Sequence, residues 1–65
     1  MRLLDLDGLR EKGLRYSKFH LWRLEKEGRF PKAIKIGGGR KAWIESEVDD
    51  YIRARIAVRD GVEVA

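Results

Sequence analysis

Between Tyr16 and Gly28 the chain reads Y-S-K-F-H-L-W-R-L-E-K-E-G, a helix with both ends marked. Ser17 stands where an N-cap hydroxyl accepts from an otherwise unpaired N–H of the first turn. Gly28 stands just past the end, where the left-handed backbone of a C′ residue meets no Cβ penalty. Pro31 forbids continuation. At about 100° per residue, Leu21, Leu24 and Gly28 share one face with Ser17 close by, and Phe19, Trp22, Arg23 and Lys26 fall on the other. Such a helix buries two leucines and turns two aromatics and three cations (Lys18, Arg23, Lys26) outward. That suits insertion into a DNA groove, with the rest of the chain as support.

The residues before it supply a companion helix. Asp5 or Asp7 can cap a short body, Leu6–Lys12, which Gly8 weakens. Leu6 and Leu9 sit three apart and can face Leu21 and Leu24. Gly13 ends this helix as a C′ residue, with Leu14 as the hydrophobic contact beyond the cap. Met1–Leu4 is a lead-in or a one-rung strand. Two helices joined by the Leu14-Arg15-Tyr16 turn make a helix-turn-helix, whose second helix reads the major groove. A plain helical hairpin is the competing reading of the same pattern.

After Pro31 the pattern becomes β-compatible. Ala33–Ile36 and Lys41–Ile44 read as two short strands broken by Gly37-Gly38-Gly39, a hairpin. Its tip, Gly38-Gly39-Arg40-Lys41, is expected to be flexible and is doubly cationic, which makes it a wing able to lie along a phosphate backbone or dip into the minor groove. A nucleotide phosphate loop does not fit, because no glycine pattern here ends in Lys followed by Ser or Thr. Trp43 is expected in the core, and Trp22 against Phe30 and Pro31. A third helix opens at Glu45, with Ser46 and Asp49 as a capping-box-like start and acids near the positive helix end. Val48, Tyr51, Ile52 and Ile56 form its buried stripe. Arg53, Arg55 and Arg59 offset the dipole at its C-terminal end. Asp60-Gly61 ends it and the remainder is expected to fray. The organisation is therefore one domain over residues 1–60 and a tail over 61–65.

The 65 residues allow a single small core, and the absence of cysteine removes disulfides. With His20 as the one histidine, a Cys/His zinc site is excluded. The carboxylates Glu45, Glu47, Asp49 and Asp50 lack the glycine and ligand spacing of a calcium loop. No apolar run approaches a membrane span and no leader pattern opens the chain, so a cytoplasmic location is expected. Ser17 and Ser46 are the only serines, and Thr, Asn, Gln and Cys do not occur. No catalytic constellation can be assembled, so neither an enzyme nor a cofactor is expected.

Charge is distributed unevenly. From Arg15 to Lys41 nine Lys/Arg face two Glu, a net of +7, while the flanks hold six Lys/Arg against nine Asp/Glu, a net of −3, together the chain's +4. A basic middle between acidic ends is the footprint of a polyanion-binding surface. Asn and Gln, the usual bidentate partners of adenine, are missing, so guanine and the thymine methyl are the plausible targets.

The segments G-L-R-Y-S-K-F-H-L-W-R-L-E-K-E-G-R-F-P-K and I-K-I-G-G-G-R-K-A-W-I-E-S-E-V-D-D-Y-I-R-A-R-I resemble the AlpA family of small phage and mobile-element regulators. The most specific part is Y-S-K-x-H-L-W-R-L followed by G-R-F-P and W-I-E-S-E-V. The family usually has Tyr where Trp22 stands and often Pro where Arg15 stands, and three consecutive glycines depart from its variable wing tip. The resemblance implies an excisionase-like, MerR-type winged helix-turn-helix and a sequence-specific DNA-binding regulator of prophage or integrase genes.

These readings converge on an α+β fold, a small winged helix-turn-helix of three helices plus a β-hairpin wing, that binds double-stranded DNA. The contact set is Arg15, Tyr16, Ser17, Lys18, Phe19, His20, Arg23 and Lys26 from the helix and its entry, with Arg40 and Lys41 from the wing. Two alternatives stay open. One is an architectural recombination directionality factor, self-associating on DNA or working with an integrase. The other is a protein-interaction module anchored on Phe19 and Trp22.

Overall fold

In the computed structural model, which describes residues 1–61, local capping sets the helix ends. The Asp5 side chain accepts from the Gly8 N–H at 2.8 Å and starts α1, Leu6–Glu11. The Ser17 hydroxyl accepts from the His20 N–H at 3.1 Å and starts α2, Lys18–Lys26. Both helices stop by the same paired backbone bonds. Leu14 N–H donates to Leu9 C=O at 2.9 Å after α1, and Arg29 N–H to Leu24 C=O at 2.8 Å after α2. Leu14 packs against the core beyond its cap, as expected.

Gly8 owes its place to close packing. A Cβ there would lie 3.1 Å from Leu4 Cβ and 3.2 Å from Leu4 Cδ2. The missing side chain lets α1 press against the first strand, β1 (Leu3–Leu4). The wing is formed by β2 (Ile34–Gly37) and β3 (Arg40–Ile44). Gly38 and Gly39 make its two-residue turn with φ of +57° and +73°. Positive φ at both central positions is what a tight hairpin of this twist requires. The expected four-residue tip is therefore shorter: Arg40 pairs with Gly37, and Lys41 with Lys35, inside the ladder. The sheet has the order β1-β3-β2, antiparallel throughout, with Leu3 opposite Ile44 and Ile34 opposite Ala42.

The last helix, α3 (Glu45–Arg59), follows β3 without a linker. Ile44 is at once the last strand residue and an N-cap with no side-chain bond. The capping box expected on Ser46 and Asp49 does not form, because Ser46 already lies inside the first turn. The Glu45 N–H donates instead to Arg2 C=O at 2.9 Å, so the backbone just before β1 takes up that N–H. Asp49 is engaged elsewhere: Lys12 Nζ reaches Asp49 Oδ1 at 3.0 Å and Glu45 Oε2 at 3.4 Å. These contacts fasten the end of α1 to the start of α3. The hydrogen bond from Asp49 pushes the Lys12 ammonium above its ordinary value; desolvation opposes this, and Glu45 adds to it.

The core is Leu4, Leu9, Leu21, Phe30, Trp43 and Val48, with Leu6, Leu14, Tyr16, Leu24, Tyr51 and Ile52 packed around it. Trp43 is buried as expected. Phe30 is the aromatic centre, edge-on to Tyr51 at 4.7 Å, Tyr16 at 6.2 Å and Trp43 at 6.4 Å. Two expectations need correction. Ile56 is 45% exposed, because the core packing of α3 comes from Val48, Tyr51 and Ile52 and does not extend to it. Trp22 does not pack on the Phe30 ring, whose partners are Tyr16, Trp43 and Tyr51; it is 50% exposed and lies beside Phe19, ring centroids 5.9 Å apart. The tail over 61–65 falls, beyond Gly61, outside the described residues.

The hydroxyls of Tyr16 and Tyr51 meet at 3.0 Å and join the entry of α2 to α3. Burial, and then this hydrogen bond, push the Tyr51 phenol from 10.0 up to about 12. The folded state thus holds a proton that the unfolded chain releases from about pH 10. The resulting stability is complete below pH 10 and is lost as pH rises toward about 12. Unfolding free energies measured at about pH 9 and about pH 11.5 should fall more for the parent than for Tyr51→Phe. Equal losses in the two proteins would remove Tyr51 from the alkaline transition.

Candidate nucleic-acid interface

Helix α2 turns Leu21 and Leu24 into the domain, and its opposite ridge carries Phe19, Trp22, Arg23 and Lys26. Phe19 is 67% and Trp22 50% exposed. The Lys26 ammonium sits 5.0 Å from the centre of the Trp22 ring. A cation over an exposed aromatic face is worth about 0.5–1 kcal/mol, enough to order the ridge without burying it. Arg23 Nε lies 3.9 Å from Glu27 Oε1 one turn along. At such an exposed site this pair is weak and leaves the guanidinium free to exchange partners.

Two clefts flank the ridge. The first, about 430 Å³, opens between α2 and the wing and is bordered by Lys18, Trp22, Glu25, Arg40, Lys41 and the α1 residue Asp7. The structure thus brings Lys18 together with Arg40 and Lys41, as a helix-and-wing reading requires. The second, about 460 Å³, opens between α2 and α3 and is bordered by Tyr16, His20, Arg23, Arg29, Tyr51 and Arg55. His20 stacks on Tyr16 at 4.9 Å between ring centroids. Arg15 is exposed in the turn before α2. Ser17 and Tyr16 are less available, because one hydroxyl caps α2 and the other is bonded to Tyr51.

Two contributors were not legible as such in the sequence. Lys35 stands directly across from Lys41 in the ladder, and both are exposed. Like charges in register destabilise a hairpin unless an anion lies between them. Only the turn length reveals that pairing. Glu25 Oε1 accepts from the Ala33 N–H at 2.7 Å and so ties α2 to the approach of the wing. Trp22 lies on the outward face that the helical period gives it, 50% exposed rather than covered by Phe30.

Unpaired charge is concentrated here. Among the described residues, Arg23 is the one cation between Arg15 and Lys41 with a carboxylate within 4.0 Å. Arg2, Arg10, Lys12, Arg53 and Arg59, outside that stretch, are all paired.

Residues 10–56, which run from α1 through α2 and the wing into α3, match the family of the prophage CP4-57 regulatory protein (AlpA). The chain belongs to the AlpA family. AlpA-family membership agrees with the resemblance carried by the Y-S-K-x-H-L-W-R-L and W-I-E-S-E-V segments. The chain is also similar to the uncharacterized protein ORF88 of Enterobacteria phage P4, 37% identical over 43 residues, 66% of this chain and 49% of that protein. It spans about half the length of that relative. No solved structure matches the chain. Among the described residues of this AlpA-family chain, no helix is long and apolar enough to cross a membrane.

Proposed function

We propose that this AlpA-family chain is a sequence-specific regulator of a prophage or mobile element that binds double-stranded DNA. Helix α2 enters the major groove and the β2–β3 wing rests on the flanking backbone. One observation carries the reading: among the described residues the cations of the basic middle, Arg23 aside, are left without carboxylate partners, on and around a helix whose outer ridge exposes Phe19 and Trp22. Lys18 and Phe19 come first into the groove, Phe19 against a thymine methyl. Arg23 and Lys26 follow with base or phosphate contacts. Arg15 and His20 border the entry, while Tyr16 and Ser17 fix the angle at which α2 arrives. Lys35, Arg40 and Lys41 hold phosphates.

Arg23→Ala is expected to weaken binding to the preferred duplex by about 1–3 kcal/mol without changing the melting temperature. The duplex comes from selection on a random pool, and the affinity from an anisotropy titration at moderate salt. Unchanged affinity would take Arg23 out of the interface. The exposed Phe19–Trp22 pair supports a second reading, an anchor for a protein partner. Salt separates the two: phosphate binding weakens steeply with salt through counterion release, and an aromatic-anchored contact does not.

A further inference from the structure

We propose a second phosphate-binding site on the side of α2 away from the wing, built from Arg29, Arg55 and the Tyr16–Tyr51 hydroxyl pair. It would hold the DNA strand opposite the one the wing touches. The proposal rests on the DNA-binding function proposed for α2 and the wing, and adds to it a residue, Arg55, that the charge pattern of α3 assigns merely to the helix dipole.

Arg55 is the exception on its helix. Its neighbours Arg53 and Arg59 are paired with Asp50 at 2.9 Å and Asp60 at 2.8 Å. Outside the stretch 15–41, Arg55 is the one Lys or Arg among the described residues without a carboxylate partner. It borders the cleft between α2 and α3 together with Arg29, which is likewise unpaired among the described residues. Both guanidinium groups lie close enough to the Tyr51 phenol to pull its ionisation down against the effect of burial. In the pair at 3.0 Å one phenol donates to the other, so the second phenol's proton remains free for an outside acceptor. Two planar cation forks beside a free hydroxyl donor outnumber the cleft's one carboxylate, Glu27, and leave donors for a phosphate oxygen. The acid of this cleft, Glu27, faces Arg23 at 3.9 Å.

Groove dimensions say which phosphate. A helix with its side chains is about 10–12 Å across, and the major groove of B-DNA is about 12 Å wide. A helix seated in that groove fills it, so cations on its two flanks meet the two opposite walls. Lys18, Arg40 and Lys41 stand on one flank of α2 and Arg29 and Arg55 on the other.

The test walks a single uncharged methylphosphonate along each strand of the selected duplex and compares parent, Arg40→Ala/Lys41→Ala and Arg29→Ala/Arg55→Ala. All four arginine and lysine side chains are exposed, and the melting temperature of each variant confirms folding. For the parent, neutralised phosphates on both walls should cost affinity. The Arg29/Arg55 variant should lose that sensitivity on one strand and the wing variant on the other. Each phosphate no longer held should lower the slope of log affinity against log salt by about 0.9, equally for specific and random duplexes. A parental profile and slope in the Arg29/Arg55 variant would overturn the site while leaving DNA binding intact. So would lost sensitivity on the wing's own strand. Inorganic phosphate provides the remaining arm: saturation of the Arg29 and Arg55 side-chain signals by free phosphate, with no strand-specific loss on DNA, would overturn a DNA-backbone role. A parent that binds no duplex would fail the underlying DNA-binding function first.

Discussion

Phe30→Ala is expected to cost about 3–5 kcal/mol, the range for removing a buried aromatic. Phe30 is 5% exposed and touches Tyr16 before α2, Trp43 of β3 and Tyr51 of α3. Its removal opens a cavity where three elements meet, and it forfeits edge-to-face packing worth about 0.5–1.5 kcal/mol for each ring pair. At about 0.05–0.15 kcal/mol per residue, a domain of this length has only about 3–10 kcal/mol in total. The variant should therefore be largely unfolded near 37 °C, or melt far below the parent, as read by circular dichroism and denaturant midpoints. Phe30→Leu, which keeps most of the volume, should lose much less. Cooperative unfolding of Phe30→Ala near the parental temperature would mean that the three elements are joined some other way.

The wing supplies the second large effect. Replacing Lys35, Arg40 and Lys41 together with alanine should lower affinity for every duplex by a similar factor, because phosphate contacts position a protein without specifying sequence. The salt slope should flatten by about 0.9 for each phosphate no longer neutralised, up to about 2.7 for the three. Stability should move the opposite way or hold, since Lys35 faces Lys41 in register and alanine relieves the repulsion. Loss of affinity together with loss of stability would instead mark the hairpin as structural. A changed preference at an A·T-rich flank would show that Arg40 reads minor-groove shape.

What could be read from the sequence was what short-range chemistry decides. The caps at Asp5 and Ser17, the stops at Gly13 and Gly28, and the Leu21–Leu24 face each depend on residues within one or two turns. Ser46 misled for the same reason: S-E-V-D is a good local start, yet the backbone bond from Glu45 to Arg2 came from more than forty positions away and made a cap unnecessary. Periodicity placed Trp22 on the outer flank of α2 without saying whether anything covered it. It also carried the α3 stripe on to Ile56, to which the core packing of the helix does not extend. The Arg29–Arg55 cleft was invisible, because its members come from a loop and a helix that only tertiary packing brings together.

The missing linker between β3 and α3 limits how this chain can change length over time. An extra residue between Ile44 and Glu45 would rotate α3 by about 100° and advance it by about 1.5 Å. Val48 and Tyr51 would swing off the core, and Arg55 off its cleft. A deletion would do the reverse damage. Strand and helix therefore share one frame, which an insertion or a deletion between them would break. Extra residues are expected to be tolerated instead at the Gly38-Gly39 turn, where the chain crosses from β2 to β3 outside the paired ladder. A residue added at the wing tip should leave the core seated, whereas one added between Trp43 and Val48 should unseat it.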